Sequence, residues 1–194
     1  MTRGIAGLIL AGGTGRRLGG LDKGLVLLAD RPLVAHVIAR FAPQVDDLAI
    51  SANRHLDAYA ALGHPVLADD LEDAGPLAGV VRGLECARRP LLAVVPCDCP
   101  FLPADLVARL EAALVRERAD VACAAVGGRI QPVCALIARS LAPSLRVWLA
   151  TGARRVDQWY AAQRLARADY PPDCPGFANL NTPDDLAAAA ARVP

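Results

Sequence analysis

The chain has no charge imbalance: 21 Lys and Arg stand against 20 Asp and Glu in 194 residues, a formal charge of +1. A general nucleic-acid binder carries a basic excess or a basic patch, so the composition argues against that class. Long apolar runs are also missing. Each hydrophobic stretch is broken by Gly, Pro or charge before the ~20 residues that span a bilayer, so no membrane partner is expected. Arg3 is followed by a strand-like run without a cleavage-site pattern, so no signal peptide is expected.

Other familiar signatures are absent too. The six cysteines are Cys86, Cys97, Cys99, Cys123, Cys134 and Cys174. They contain no C-x-x-C pair, and no further ligands stand at zinc spacing. They read as reduced thiols of a cytoplasmic protein, four of them in apolar surroundings where Cys acts as a small hydrophobe. There is no G-x-S-x-G, so a hydrolase triad lacks support. The glycine-rich stretch after Leu10 is not a P-loop, because Gly24 follows Lys23 where Ser or Thr is needed. It is not G-x-G-x-x-G either, because Leu18 follows Gly13-x-Gly15 at the third glycine position.

What is present is an ample core. Hydrophobic residues make up 54% of the chain, which excludes wholesale disorder. The length suits one domain over residues 1–194. Strand-like runs at 7–10, 48–52, 66–68, 91–95, 121–126 and 133–137 alternate with helical patterns. Pro32 to Phe41 and Gly79 to Ala87 read as helices. Pro103 is expected to open another helix. Residues 148–163 read as mixed but helical. Thr182-Pro183-Asp184-Asp185 reads as a helix start, with Thr as N-cap and Asp185 in the capping-box position. Fully apolar strands between helices imply a mostly parallel sheet covered on both faces. Ligands of such folds bind beyond the carboxyl ends of the strands, which selects the loops after Leu10, Ala52, Ala68 and Val95.

Those loops carry the polar residues. The first has clustered glycines with Arg16, Arg17 and Lys23, a backbone anion nest beside several cations that suits a polyphosphate. A solvated flexible turn is the plainer reading. Asp98 ends an apolar strand and suits Mg²⁺, which prefers one or two carboxylates plus substrate phosphates. It could equally cap the helix that follows. Asp69 and Asp70 suit a metal, a base or a ribose, or form a solvated acidic turn. Asn179 and Asn181 offer amide donors and acceptors just before the last helix, or a capped turn. His36 lies in a helix pattern and reads as packing.

Taken in order, these segments resemble the molybdenum cofactor guanylyltransferase family over nearly the whole chain. The most specific part is Leu10-Ala-Gly-Gly-x-x-Arg-Arg-x-Gly-Gly-x-Asp-Lys-Gly24. Ala52-Asn-Arg-His55, Gly75-Pro-Leu-Ala-Gly79, Val95-Pro-Cys-Asp-x-Pro100, Gln131-Pro-Val133 and Asn179-x-Asn-Thr-Pro183 support it. The resemblance implies a three-layer, Rossmann-like α/β nucleotidyltransferase fold with a mostly parallel central sheet. It implies an enzyme that transfers GMP from GTP to molybdenum-molybdopterin with Mg²⁺. Leu10, Ala11, Gly12 and Gly13 would contact the nucleotide, Lys23 and Arg17 its phosphates, Asp69 the nucleotide and Asp98 the metal. Arg17, Lys23 and Asp98 would be the catalytic set. Asn179 and Asn181 fall on the pterin side. Ser51 stands where many relatives have Asn, which leaves the base or ribose contact to Ser51 or Asn53. Other biosynthesis or delivery proteins of that cofactor are candidate partners. A CTP-using or sugar-phosphate relative, and a non-catalytic nucleotide-binding regulator, are the competing readings.

Overall fold

The computed structural model describes residues 4–11, 14–15, 21–71 and 75–193. Its elements begin with β1 (Ile5–Leu10) and four two-residue strands: β2 (Thr14–Gly15), β3 (Leu21–Asp22), β4 (Leu27–Leu28) and β5 (Arg31–Pro32). Then come α1 (Leu33–Phe41), β6 (Asp47–Ser51), α2 (Leu56–Ala60), β7 (Val66–Leu67), α3 (Pro76–Cys86) and β8 (Leu91–Pro96). The second half holds α4 (Leu106–Glu117), β9 (Val121–Val126), β10 (Arg129–Ala138), α5 (Ala142–Ala150), α6 (Val156–Ala161), β11 (Leu165–Tyr170) and α7 (Pro183–Ala190).

Seven strands form one sheet in the order β11-β9-β10-β8-β1-β6-β7. All neighbours are parallel except β10, which runs antiparallel to both β8 and β9. The sequence explains why β1 and β8 lie at its centre. Side chains alternate between faces along a strand, and here both faces are apolar. Ile5 and Ile9 of β1, with Ala93 and Val95 of β8, pack among Val34, Val37 and Phe41 of α1 and Leu106 and Leu110 of α4. Ala6 and Leu8, with Leu92 and Val94, pack among Leu77, Val81 and Leu84 of α3 and Leu145 and Leu149 of α5. Helices therefore cover both faces, giving the expected three-layer, mostly parallel α/β architecture. Each fully buried Leu, Ile or Val stabilises this arrangement by roughly 1.5–3 kcal/mol relative to exposure.

Several elements differ from the sequence expectation: α2 was not expected, α3 begins three residues early at Pro76, and β10 begins at Arg129 rather than Val133. The helix expected from Pro103 begins at Leu106. Gln44 explains the delay: its Nε2 donates to the Pro103 carbonyl at 3.0 Å and its Oε1 accepts from Val107 N at 3.0 Å. One side chain thus holds the turn before α4 and satisfies an N–H of its first turn. The 148–163 stretch divides into the end of α5 and a separate α6, with Gly152 at φ 84° after the break. Strand β11, at the sheet edge, was not expected.

The C-terminal segment is held beside the carboxyl end of β8, where Leu180 N donates to the Asp98 carbonyl at 3.1 Å. Thr182 caps α7 with a complete capping box: its hydroxyl accepts from Asp185 N at 3.1 Å, and Asp185 Oδ2 accepts from Thr182 N at 2.9 Å. A small apolar cluster of Leu28, Leu33, Leu180 and Ala189 joins this end of the chain to β4 and α1. His36 Nε2 donates to the Leu28 carbonyl at 2.8 Å, the packing role its helical position suggests. Among the described residues, no helix is long and apolar enough to cross a membrane.

Candidate active site

Strand register brings the selected loops together. Leu10 pairs with both Ser51 and Pro96, and Ser51 pairs with Leu67. The carboxyl ends of β7, β6, β1 and β8 are therefore adjacent, as the parallel sheet requires. The loops leaving them carry Ala11, Asn53, Asp69 and Asp98. Gly12, Gly13 and Arg17, with Arg16, lie outside the described residues.

At the β8 end, Asp98 follows Cys97, whose N–H donates to the Leu10 carbonyl at 3.0 Å. Asp98's own carbonyl accepts from Leu180 N at 3.1 Å. These two bonds fix Asp98 between β1 and the C-terminal segment. Its carboxylate, with 12% of the side chain exposed, pairs with the Lys23 ammonium. Lys23 also donates to Asn181 Oδ1. Asn181 is held in turn by its backbone N–H, which donates to Asp185 Oδ2 at 2.8 Å. Asn179 stands beside it, with its Oδ1 2.8 Å from the Cys99 thiol, which donates to it. The expected residues Lys23, Asp98, Asn179 and Asn181 are thus in one place.

The other end of the site is built around β6 and β7. Asn53 Nδ2 donates to Asp69 Oδ2 at 2.9 Å, and Asp69 N donates to Asn53 Oδ1 at 3.0 Å. This reciprocal pair is exposed and presents amide and carboxylate edges of the kind that read a base or ribose. Ser51 is placed differently. It is 3% exposed, and a Cβ on Gly79 would lie 2.4 Å from its hydroxyl and 2.8 Å from Leu10 Cδ2. The glycine is therefore required for α3 to approach the sheet, and Ser51 lies in that contact.

Asp70, the neighbour of Asp69, pairs with Arg146 of α5, which also holds Glu85 of α3. The Arg146 hydrogen bond draws the Asp70 carboxyl below its usual range. Gln131 and Pro132 lie in the first part of β10, just after the Gly127-Gly128 turn.

Three residues that the sequence reading gave no role stand behind Lys23. Asp22 Oδ1 accepts from the Tyr59 hydroxyl, and its Oδ2 lies 3.0 Å from His55 Nδ1. Tyr59 is fully buried. No local pattern marks it; only the Asp-Lys pair hinted that Asp22 matters.

The chemistry of the donors decides what the cluster can hold. Burial raises the Cys97, Cys99 and Cys134 thiols well above their ordinary range, and Cys123 is pushed up to about 12 by burial. These cysteines stay protonated and are poor nucleophiles. Oxygen donors remain: the Asp98 carboxylate and the Asn181 amide oxygen, already gathered about one cation, the Lys23 ammonium. No group of three His, Cys, Asp or Glu among the described residues is arranged to hold a metal alone. One carboxylate with amide oxygens fits Mg²⁺ that draws most of its shell from phosphates and water.

Residues 7–167 match the family of the MobA-like NTP transferase domain. The chain is 48% identical to the molybdenum cofactor guanylyltransferase of Burkholderia lata, covering 97% of this chain and 96% of that one. It is 49% identical to the protein of the same name from Bordetella petrii, covering 94% and 95%. Its fold matches the crystal structure of molybdopterin-guanine dinucleotide biosynthesis protein A from Archaeoglobus fulgidus with a TM-score of 0.79, at 22% identity over 96% of this chain and 97% of that one.

Proposed function

The chain belongs to the MobA-like NTP transferase family and, within it, to the molybdenum cofactor guanylyltransferases, and from that premise we propose that it joins GMP from GTP to molybdenum-molybdopterin. It is a nucleotidyltransferase. The observation that carries the proposal is the meeting of Lys23, Asp98 and Asn181 beyond the carboxyl ends of β1 and β8.

In this reading a terminal phosphate oxygen of molybdopterin attacks the α-phosphorus of GTP in line. The new P–O bond forms as the bond to the β-phosphate oxygen breaks, and pyrophosphate leaves. The nucleophile is already an anion, so no side chain has to remove a proton. The barrier lies in bringing anions together and in charge on the leaving pyrophosphate. Lys23 answers both by placing its ammonium against the phosphates, with Arg17 as a second cation from the glycine-rich loop. Ala11, Gly12 and Gly13 bring backbone to the nucleotide, while Asn53 and Asp69 hold its base and ribose. Asn179 and Asn181 face the pterin phosphate. Asp98 would hold Mg²⁺, which when bound neutralises phosphate charge. Catalysis by these residues is positioning and electrostatics, as in other phosphoryl-type transfers. The proposal places the enzyme in the cytoplasm, where thiols such as its six unpaired cysteines stay reduced.

The test is equilibrium binding of GTP, CTP and ATP to the purified protein, with and without Mg²⁺, followed by guanylyl transfer to molybdopterin. Preference for GTP and release of pyrophosphate support the proposal. Preference for CTP moves the reading to a cytidylyl-transferring relative.

A further inference from the structure

Lys23 is held from behind by contacts that take no part in the chemistry above. It lies between Asp22 and Gly24, and both neighbours touch Tyr59. The Tyr59 hydroxyl donates to Asp22 Oδ1 and lies 3.4 Å from the Ala11 carbonyl. A Cβ on Gly24 would come within 2.4 Å of the same hydroxyl, so glycine is needed for the chain to pass there. One buried phenol therefore touches the backbone where the glycine-rich loop leaves β1 and the chain on both sides of Lys23 where the loop returns.

Asp22 is an unusual residue to bury. It is 8% exposed, and burying a carboxylate is costly unless each oxygen is partnered. Here one oxygen takes the Tyr59 hydroxyl and the other faces His55 Nδ1 at 3.0 Å. His55 sits at φ 50°, a left-handed conformation at the start of α2, and lies two residues beyond Asn53. Burial and the Asp22 hydrogen bond keep the Tyr59 phenol protonated as a donor.

We infer that Asp22 and Tyr59 form a clasp that positions Lys23, with Tyr59 as the pin joining the two ends of the glycine-rich loop. The clasp fixes the Lys23 backbone so that its ammonium reaches the Asp98 and Asn181 oxygens. Through His55 it also ties the phosphate-binding lysine to the segment carrying Asn53. Both are positioning residues: the Tyr59 hydroxyl is engaged with Asp22 and the Ala11 carbonyl, and the other Asp22 oxygen with His55. The inference rests on the reading that Lys23 binds the triphosphate of GTP.

The experiment is a double-mutant cycle on GTP affinity, using the full-length protein. Tyr59→Phe keeps the ring and removes the hydroxyl. It is expected to weaken GTP binding roughly tenfold, as coupled contacting residues do. In a Lys23→Met background the same substitution is expected to change affinity less than about twofold. A merely structural Tyr59 gives the same factor in both backgrounds, and that result overturns the inference. Asp22→Asn is the second arm, with the same expected pattern, should Tyr59→Phe fail to fold. If neither variant folds, the pair is a stability element and the inference falls. Wild-type protein that binds no GTP defeats the functional reading instead. Wild-type protein that binds GTP while Tyr59→Phe matches it defeats only the clasp.

Discussion

The Lys23 ammonium rests on the Asp98 carboxylate, although the two residues are 75 positions apart in the chain. The pairing joins the end of the glycine-rich segment to the end of β8. It pairs the largely buried Asp98 carboxylate with an ammonium of opposite charge, so the two are neutral together. In the proposed function, GTP would give Lys23 phosphates to bind and Asp98 would hold Mg²⁺. The pair is thus two halves of one site resting against each other.

Asp98→Asn tests the carboxylate half. The substitution keeps shape and the backbone bond from Leu180 to the Asp98 carbonyl. Turnover is expected to fall roughly 10²–10³-fold, the usual cost of removing one electrostatic element of a transition-state site. Circular dichroism and thermal melting should show a folded protein. Near-normal turnover in saturating Mg²⁺ would remove Asp98 from the proposed set.

Asn53→Ala and Asp69→Ala test the nucleoside end. Each removes one partner of an exposed reciprocal pair, so stability should hardly change. The expected signature is a raised KM for GTP with kcat nearly kept, because contacts to the base or ribose are the same in ground and transition states. A fall in kcat at unchanged KM in steady-state kinetics would place the pair elsewhere in the mechanism.

Gly79→Ala tests the contact that seats α3 against the sheet. The new methyl would meet Ser51 Oγ at 2.4 Å and Leu10 Cδ2 at 2.8 Å. Ser51 is buried and Leu10 is anchored in β1, so the helix or the strand end must shift. Overpacking of this kind costs about 1–3 kcal/mol. Tm should fall roughly 2–4 °C for each kcal/mol in a chain of this size. An unchanged melting curve would show that α3 has slack here.

Much of this was legible in the sequence, for identifiable reasons. Strands apolar on both faces mark a covered parallel sheet, and parallel topology then dictates which loops meet. The capping box of α7 was legible because it is local, with Thr182 and Asp185 three positions apart. β11 carries no apolar run, because buried Ala166, Ala168 and Tyr170 alternate with exposed Arg167 and Asp169, and so lacks the pattern that marks the other strands. Tyr59 and Gln44 left no trace at all. Each acts on a segment far along the chain, and nothing near either residue announces the partner.

Asp185 carries a pH dependence. The backbone N–H of Asn181, then the Thr182 hydroxyl and N–H, hold its carboxyl below the ordinary range. A carboxyl lowered on folding stabilises the fold fully above its unfolded pKa, about 3.9. That contribution is lost as pH falls through the lower folded value. The α7 cap, and with it the backbone of Asn181, should therefore loosen only below about pH 4. Amide hydrogen exchange at Asn181 and Thr182 reads this directly. Asp185→Asn should abolish the acid-dependent step; an identical pH profile in that variant would assign the step to another group.

The thiol of Cys99 gives the most local test of the pterin side. It is 1% exposed and donates to Asn179 Oδ1 at 2.8 Å. Burial keeps it protonated, so the donor is present at any pH the enzyme works at. Cys99→Ala removes the donor and leaves Asn179 free to turn. Cys99→Ser keeps a donor of similar size. If Asn179 faces the pterin phosphate, the alanine variant should raise KM for molybdopterin roughly fivefold, the worth of one ordinary hydrogen bond. The serine variant should recover most of that loss, and GTP affinity should stay within a factor of about two in both. Serine failing to recover would mean that volume, not hydrogen bonding, matters at this position. A change in GTP affinity instead would move Asn179 to the nucleotide side, leaving Asn181 as the nearer contact to the acceptor.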